Sequence, residues 1–185
     1  AATLHNNHII TGIFQKTKLL PIFSKKFFME NINTIMKIAL ASDHRGFEFK
    51  KHVASMLAQM GHTVTDFGTT TGTESVDYPD YGLKAARSVG TGESDRGILI
   101  CGTGIGMSLV ANKVNGVRAA VCHNLYTVEM SRRHNDSNIL CIGADVIDEE
   151  LLEQKVKLWL ETPFEGGIHA RRVDKIMDAE DGSGI

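Results

Sequence analysis

The chain has 185 residues, 42% hydrophobic and 23% charged, with a net charge of −2. That length suits one domain able to bury its own core without a disulfide or metal staple. No apolar run reaches the ~18 residues of a membrane-spanning helix, and the near-neutral charge leaves no global footprint for nucleic acid. Three cysteines with no Cys-x-x-Cys pair argue against a disulfide framework and a zinc ribbon, and favour a reducing compartment.

Residues 1–35 stand apart. They hold four lysines against Glu30 alone, and four of the eight phenylalanines, without a clear period. The segment reads as an appendage. One reading is a targeting peptide, basic and acid-poor; the other is upstream sequence or a tail without chemistry. Without a working targeting signal the protein is expected to be cytoplasmic; with one, it belongs in an organelle.

The folded domain is expected over 36–185. Lys37–Ala41 is an apolar run of strand length. Phe49, Val53, Met56, Leu57 and Met60 recur at helical spacing, and Gly61 stops that helix. Thr63–Phe67 reads as the second strand. A helix is expected from Tyr78 to about Val89, with Pro79 in a first turn that tolerates a missing N–H. Gly97–Cys101 is wholly apolar, as in a strand buried on both faces of a parallel sheet. A helix over about Ile105–Val114, a strand at Arg118–Cys122 and a helix at Asn124–His134 follow. Asn138–Ile142 is the fifth strand. A helix from Asp148 to Glu161 has Asp148 as its cap and two acids in its first turn, and a last helix covers about His169–Asp178. Strands alternating with helices at this spacing predict a three-layer α/β/α sandwich around a parallel sheet of about five strands.

In such sheets ligands bind beyond the carboxyl ends of the strands. Strand 1 ends in Ser42-Asp43-His44-Arg45-Gly46, strand 3 in Cys101-Gly102-Thr103-Gly104-Ile105-Gly106, strand 4 in Cys122-His123-Asn124, and the helix after strand 4 in Arg132-Arg133-His134-Asn135-Asp136, so these polar residues are all expected to collect at the crevice. Three alternating glycines let a backbone approach a ligand and turn its N–H groups inward. The helix start that follows adds free donors and a positive dipole end. Such a loop suits an oxyanion or a phosphate, and its field favours the thiolate of Cys101. Met107 breaks both the dinucleotide spacing and a Cys-x5-Arg phosphatase loop. The alternative is that Cys101 is a small buried residue ending a strand and the glycines only turn the chain. Asp43 is equally well a capping residue, and His134 a cation at a helix end. Cys122 and Cys141 read as inert core. No His, Asp or Glu cluster shows metal-ligand spacing.

Together, Ala41–Phe47, Asp77-Tyr78-Pro79, Gly97–Ser108, Ala111-Asn112-Lys113, Ser131–Asp136 and Phe164–Gly167 resemble ribose-5-phosphate isomerase type B and the related galactose- and allose-6-phosphate isomerases, in order along the domain. The resemblance implies a Rossmann-like fold, no metal or organic cofactor, and a homodimer or homotetramer with active sites shared between subunits. It implies a sugar-phosphate substrate, no nucleic acid and no membrane. It also implies interconversion of D-ribose 5-phosphate and D-ribulose 5-phosphate through an enediolate.

On that resemblance Cys101 is the base, and His134 helps open the sugar ring. Thr103 steadies the enediolate with the loop amides. Asp43, His44, Tyr78, Gly102, Gly104, Ile105, Gly106 and Asn135 contact substrate, and Arg172 binds phosphate. Two positions depart from the family pattern. Ile168 and Asp145 stand where the family commonly has arginines associated with the phosphate. A charge-assisted hydrogen bond is worth roughly 1.5–3 kcal/mol, so phosphate binding should weaken unless a neighbour such as Arg171 substitutes. A six-carbon sugar phosphate, or a non-catalytic sugar-phosphate binding module, is the alternative reading.

Overall fold

A computed structural model describes residues 34–182; all but the last two residues of the expected appendage lie outside that range. In chain order the elements are β1 (Lys37–Ser42), α1 (Phe47–Gln59), β2 (Thr63–Asp66), α2 (Tyr78–Gly90), β3 (Arg96–Cys101), α3 (Ile105–Ala111), β4 (Ala119–Val121), α4 (Leu125–Arg133), β5 (Ile139–Gly143), α5 (Glu149–Glu161) and α6 (Ile168–Asp178). All strand pairs are parallel, in the order β2-β1-β3-β5-β4. This is the predicted α/β/α sandwich. Among the described residues no helix is long and apolar enough to cross a membrane.

The period of two along each strand splits the core between the faces of the sheet. Ile38, Leu40, Ile98, Ile100, Leu140 and Ile142 form one face, with Val53 and Leu57 of α1, Val128 of α4 and Val156 and Trp159 of α5. Ala39, Ala41, Leu99, Cys101, Ile139 and Cys141 form the other, against Ala85, Ala86, Met107 and Ala111. The second face is built largely of small residues, which lets α2 and α3 lie close to the sheet. Burial raises the thiols of Cys122 and Cys141 above their ordinary range, as suits inert core cysteines.

The helix starts follow from local chemistry. In α4, Asn124 Oδ1 accepts the Thr127 N–H at 2.8 Å while Thr127 Oγ1 accepts the Asn124 N–H at 3.4 Å, a reciprocal cap. In α5, Asp148 Oδ1 accepts the Leu151 N–H at 2.8 Å. One helix stops earlier than its sequence pattern predicts: α3 ends at Ala111, not near Val114. Asn112 is the reason. Its amide donates to the Ser108 and Ala119 carbonyls at 2.9 Å each, and its Oδ1 accepts the Ala119 N–H at 2.9 Å. The side chain thus stands in for a strand neighbour at the start of β4, and the chain turns there.

At the opposite end of the sheet, the His62 ring accepts the Met36 N–H through Nδ1 at 3.2 Å. Burial and, after it, the positive charge of Arg96 hold this imidazole below its ordinary value of 6.5. The fold therefore takes up this proton less readily than the unfolded chain. The resulting stabilisation is complete above the unfolded value and is lost as pH falls through the lowered one. Denaturant unfolding from neutrality to about pH 5 should show wild type losing more stability than His62→Gln; parallel losses would remove His62 from the balance.

Candidate active site

The order of the sheet fixes where a ligand can sit. From β1 the chain runs outward to β2, then crosses to β3 on the other side, so connections leave the carboxyl ends of β1 and β3 in opposite directions. Such a switch point opens a crevice. Asp43 and His44 follow β1 there, and Cys101 closes β3 beside them, with Ser42 in register with Ile100.

Cys101 is 5% exposed, and its Sγ accepts the Gly104 N–H at 3.2 Å. Gly104 adopts φ +79, and a Cβ there would lie 2.9 Å from the Ile142 carbonyl carbon. Only glycine meets both demands without strain. Gly106 packs under the Tyr78 ring, where a Cβ would lie 2.7 Å from it. Tyr78, the first residue of α2, thereby roofs the start of α3. Thr103 and Ile105 are exposed, and Thr103 Oγ1 accepts the Ile105 N–H at 3.4 Å. The loop is braced from below, because a Cβ on Gly143 of β5 would lie 2.7 Å from the Thr103 backbone.

Asp43 Oδ1 accepts the Arg45 and Gly46 N–H groups at 2.9 and 3.1 Å. Its carboxylate builds the turn into α1, the capping role that the sequence allowed. His44 Nδ1 accepts the Val76 N–H at 3.1 Å, so a neutral ring carries its proton on Nε2 and offers it outward. Arg45, to which the sequence reading gave no role, forms an ion pair with Asp145 beyond β5. Both lie against Gly102, where a Cβ would be 2.6 Å from Asp145 Oδ2 and 2.8 Å from Arg45 Nε. One of the two family departures therefore sits at the rim of the glycine loop with a cation of its own.

The remaining predicted residues lie elsewhere. His134 is the C-cap of α4, and α4 runs back from the carboxyl end of β4 to the amino end of β5. Asn135 is beside it, its carbonyl accepting from Arg118 at 3.2 Å, just ahead of β4. Cys101 pairs in register with Gly143, and Gly97 with Ile139. At ~3.3 Å per strand residue, the two edges are roughly 13 Å apart. The chain thus brings together Cys101, the 102–106 loop, Asp43, His44 and Tyr78, and does not bring His134 or Asn135 to them. Arg172 is exposed on α6, one turn beyond His169.

At that second edge the fold assembles a group that spacing did not reveal. His134 and His169 stack with ring centroids 4.1 Å apart and planes within 3°. Each Nε2 lies 3.6 Å from Glu165 Oε2. Arg133 Nε donates to Glu165 Oε1 at 2.7 Å, and its Nη2 pairs with the same oxygen. These bonds hold the carboxyl below its ordinary range. The signal was faint: Glu165 and His169 stand four apart, but His134 joins them only through the fold.

Residues 38–176 match the Ribose/Galactose Isomerase family. Ribose-5-phosphate isomerase B of Escherichia coli is 45% identical over 144 residues, 78% of this chain and 96% of that protein. D-erythrulose-4-phosphate isomerase of Pectobacterium atrosepticum is 42% identical over 142 residues, 77% and 93%. The solved structure of Clostridium thermocellum ribose-5-phosphate isomerase B superposes with a TM-score of 0.77 at 53% identity, covering 80% of this chain and 99% of that one. Fold and comparisons define the class, the aldose–ketose isomerases. Within it, the chain belongs to the ribose/galactose isomerase family.

The two kinds of glycine contact in the loop should separate on substitution. A side chain at 102 meets flexible side-chain ends, whereas one at 104 meets backbone at a positive φ. Gly104→Ala should therefore cost about 1–3 kcal/mol and most of the turnover, and Gly102→Ala much less. Denaturant unfolding and steady-state assays of both variants decide it, and equal effects would contradict the packing described.

Proposed function

We propose that the protein interconverts D-ribose 5-phosphate and D-ribulose 5-phosphate as a homodimer, with each active site taking residues from both chains. The observation that carries this reading is the division of the site. Cys101 and its amide loop occupy the carboxyl edge of the sheet, while His134, Asn135 and Arg172 stand away from it. A second copy reunites the two sets. Exposed Ile105 and Leu109 on α3, with exposed Tyr126 and Val146 at the same edge, offer apolar surface for such a partner.

In this mechanism the partner's copy of His134, as imidazolium, protonates the ring oxygen as the C1–O bond breaks, and solvent takes the O1–H proton as the C1 carbonyl forms and the furanose opens. The Cys101 thiolate takes the proton from C2 of the open-chain aldose. The C1 carbonyl oxygen gains negative charge as the C1–C2 double bond forms, and the loop N–H groups with the Thr103 hydroxyl receive it. The O2 proton passes toward O1, and the thiol returns its proton to C1, leaving the ketose. Tyr78 and Asp43 line the reacting end. His44 Nε2 and Arg172 hold the phosphate and so fix C1 and C2 against the sulfur.

A six-carbon or four-carbon sugar phosphate is the second reading, favoured by Asp145 and Ile168 at positions where the family commonly has arginine. A coupled assay on ribose 5-phosphate, allose 6-phosphate, galactose 6-phosphate and erythrulose 4-phosphate ranks them by kcat/KM. The largest value is expected for ribose 5-phosphate, and a larger one elsewhere replaces it.

Two variants test the chemistry and its sharing. Cys101→Ala should lower kcat by about 10²–10⁴-fold with little change in KM. His134→Asn should act more on cyclic than on open-chain substrate. Mixed, re-equilibrated and assayed on cyclic substrate, the two impaired variants should recover about a quarter of wild-type turnover, because half the dimers are hybrids and each hybrid has one intact site. No recovery in verified hybrids would place both residues in a site of one chain.

A further inference from the structure

We propose that His134, Glu165 and His169 form a binding site for a divalent transition-metal ion of the zinc class. The ligand atoms of these three residues lie within 4.8 Å of one another. Each imidazole Nε2 is 3.6 Å from the shared Glu165 Oε2, beyond a hydrogen bond. The three ligand atoms lie close together without being bonded to each other. Neighbouring ligand atoms around tetrahedral zinc are ~3.4 Å apart for bonds of ~2.0–2.1 Å. Both nitrogen–oxygen separations are within a few tenths of an ångström of that value. The stacked rings must tilt toward each other to bring both lone pairs onto one ion, so binding breaks the stack.

The surroundings prepare the carboxylate for this role. Arg133 occupies Oε1, which leaves Oε2 for the ion. The Glu165 N–H donates to the Arg133 carbonyl at 3.0 Å, fixing the segment between α5 and α6. Arg133 is itself balanced by Glu129 at 2.8 Å, so with neutral rings the cluster carries one net negative charge. This is the outer shell that orients a ligating carboxylate. Two nitrogens and one oxygen suit zinc better than magnesium or calcium. The side chains of His134, Glu165 and His169 are 38%, 35% and 18% exposed, which gives an entry path and an open fourth position.

Such an ion ties the end of α4, the α5–α6 connection and the start of α6 into one unit. It also takes the Nε2 lone pair of His134, so zinc should inhibit turnover of cyclic substrate. That second effect rests on the ring-opening role proposed above; binding does not.

Zinc is titrated into the metal-free full-length protein with a competing chromophoric chelator, alongside His169→Asn and Glu165→Gln. Thermal melts in excess chelator establish that each variant folds. Wild type should show a component of one equivalent per chain, weakened roughly 10–100-fold in each variant, and a zinc-dependent rise in Tm absent from both. Equal zinc affinity in wild type and both folded variants overturns the site. Binding that disappears in the variants but leaves isomerisation of ribose 5-phosphate uninhibited supports the site and overturns the role given to His134.

Discussion

A parallel sheet sends the carboxyl end of every strand to one edge and returns the chain to the other through a helix. Residues that follow strands and residues that end helices are therefore kept a strand length apart, however close they lie in sequence. In this chain the first set holds a thiol, a carboxylate, an imidazole and the amides of a glycine loop. The second holds two imidazoles, a carboxylate and several arginines. On the roles proposed, the carbon base Cys101 lies in the first set and the ring-opening acid His134 in the second. On that proposal, association completes the site, and the proposed dimer follows from strand direction more than from surface stickiness.

The reacting end depends on backbone lying close to backbone. The Cys101 loop rests on the end of β5, where Gly143 touches Thr103 and Gly104 touches Ile142. Gly46, at the start of α1, comes equally near Ile100. These glycines are far apart in sequence, and a side chain at any of them would push two strand ends apart. The sulfur is thereby held against the Gly104 N–H by contacts that involve no ligand. A donor set fixed before the substrate arrives needs no reorganisation when charge develops, which is where such loops gain their effect on rate.

Most of the architecture was legible because local signals agreed with the global fold. Apolar runs of strand length, the Asp148 cap and the Gly61 stop each mark an element within a residue or two of where it lies. The glycine loop was legible for the same reason, since its geometry is written in consecutive residues. Three features were not. Asn112 ends α3 through contacts with Ala119 across a turn, and helical periodicity does not register them. The Arg45–Asp145 pair joins residues 100 apart through the sheet. The placement of His134 follows from the direction of α4, while its motif is a string of polar residues that reads equally well at either edge.

On the proposed reading, the two positions expected to depart from the family pattern bear on the phosphate end of the substrate. Replacing an arginine with Asp145 changes the local charge by two, which taken alone would repel a phosphate. Arg45 returns one of those charges, paired with Asp145 and half exposed, so solvent screens what remains. The pair is close to neutral from a distance, but its guanidinium still has donors to offer beside Gly102. Ile168 removes a second cation without adding an anion. Neither change touches the sulfur, the Gly104 amide or the Tyr78 roof. Binding energy lost at the phosphate normally appears as poorer positioning at the reacting carbons. On the mechanism proposed, these residues alter the length and placement of the sugar phosphate that fits, while the proton transfer stays with the loop.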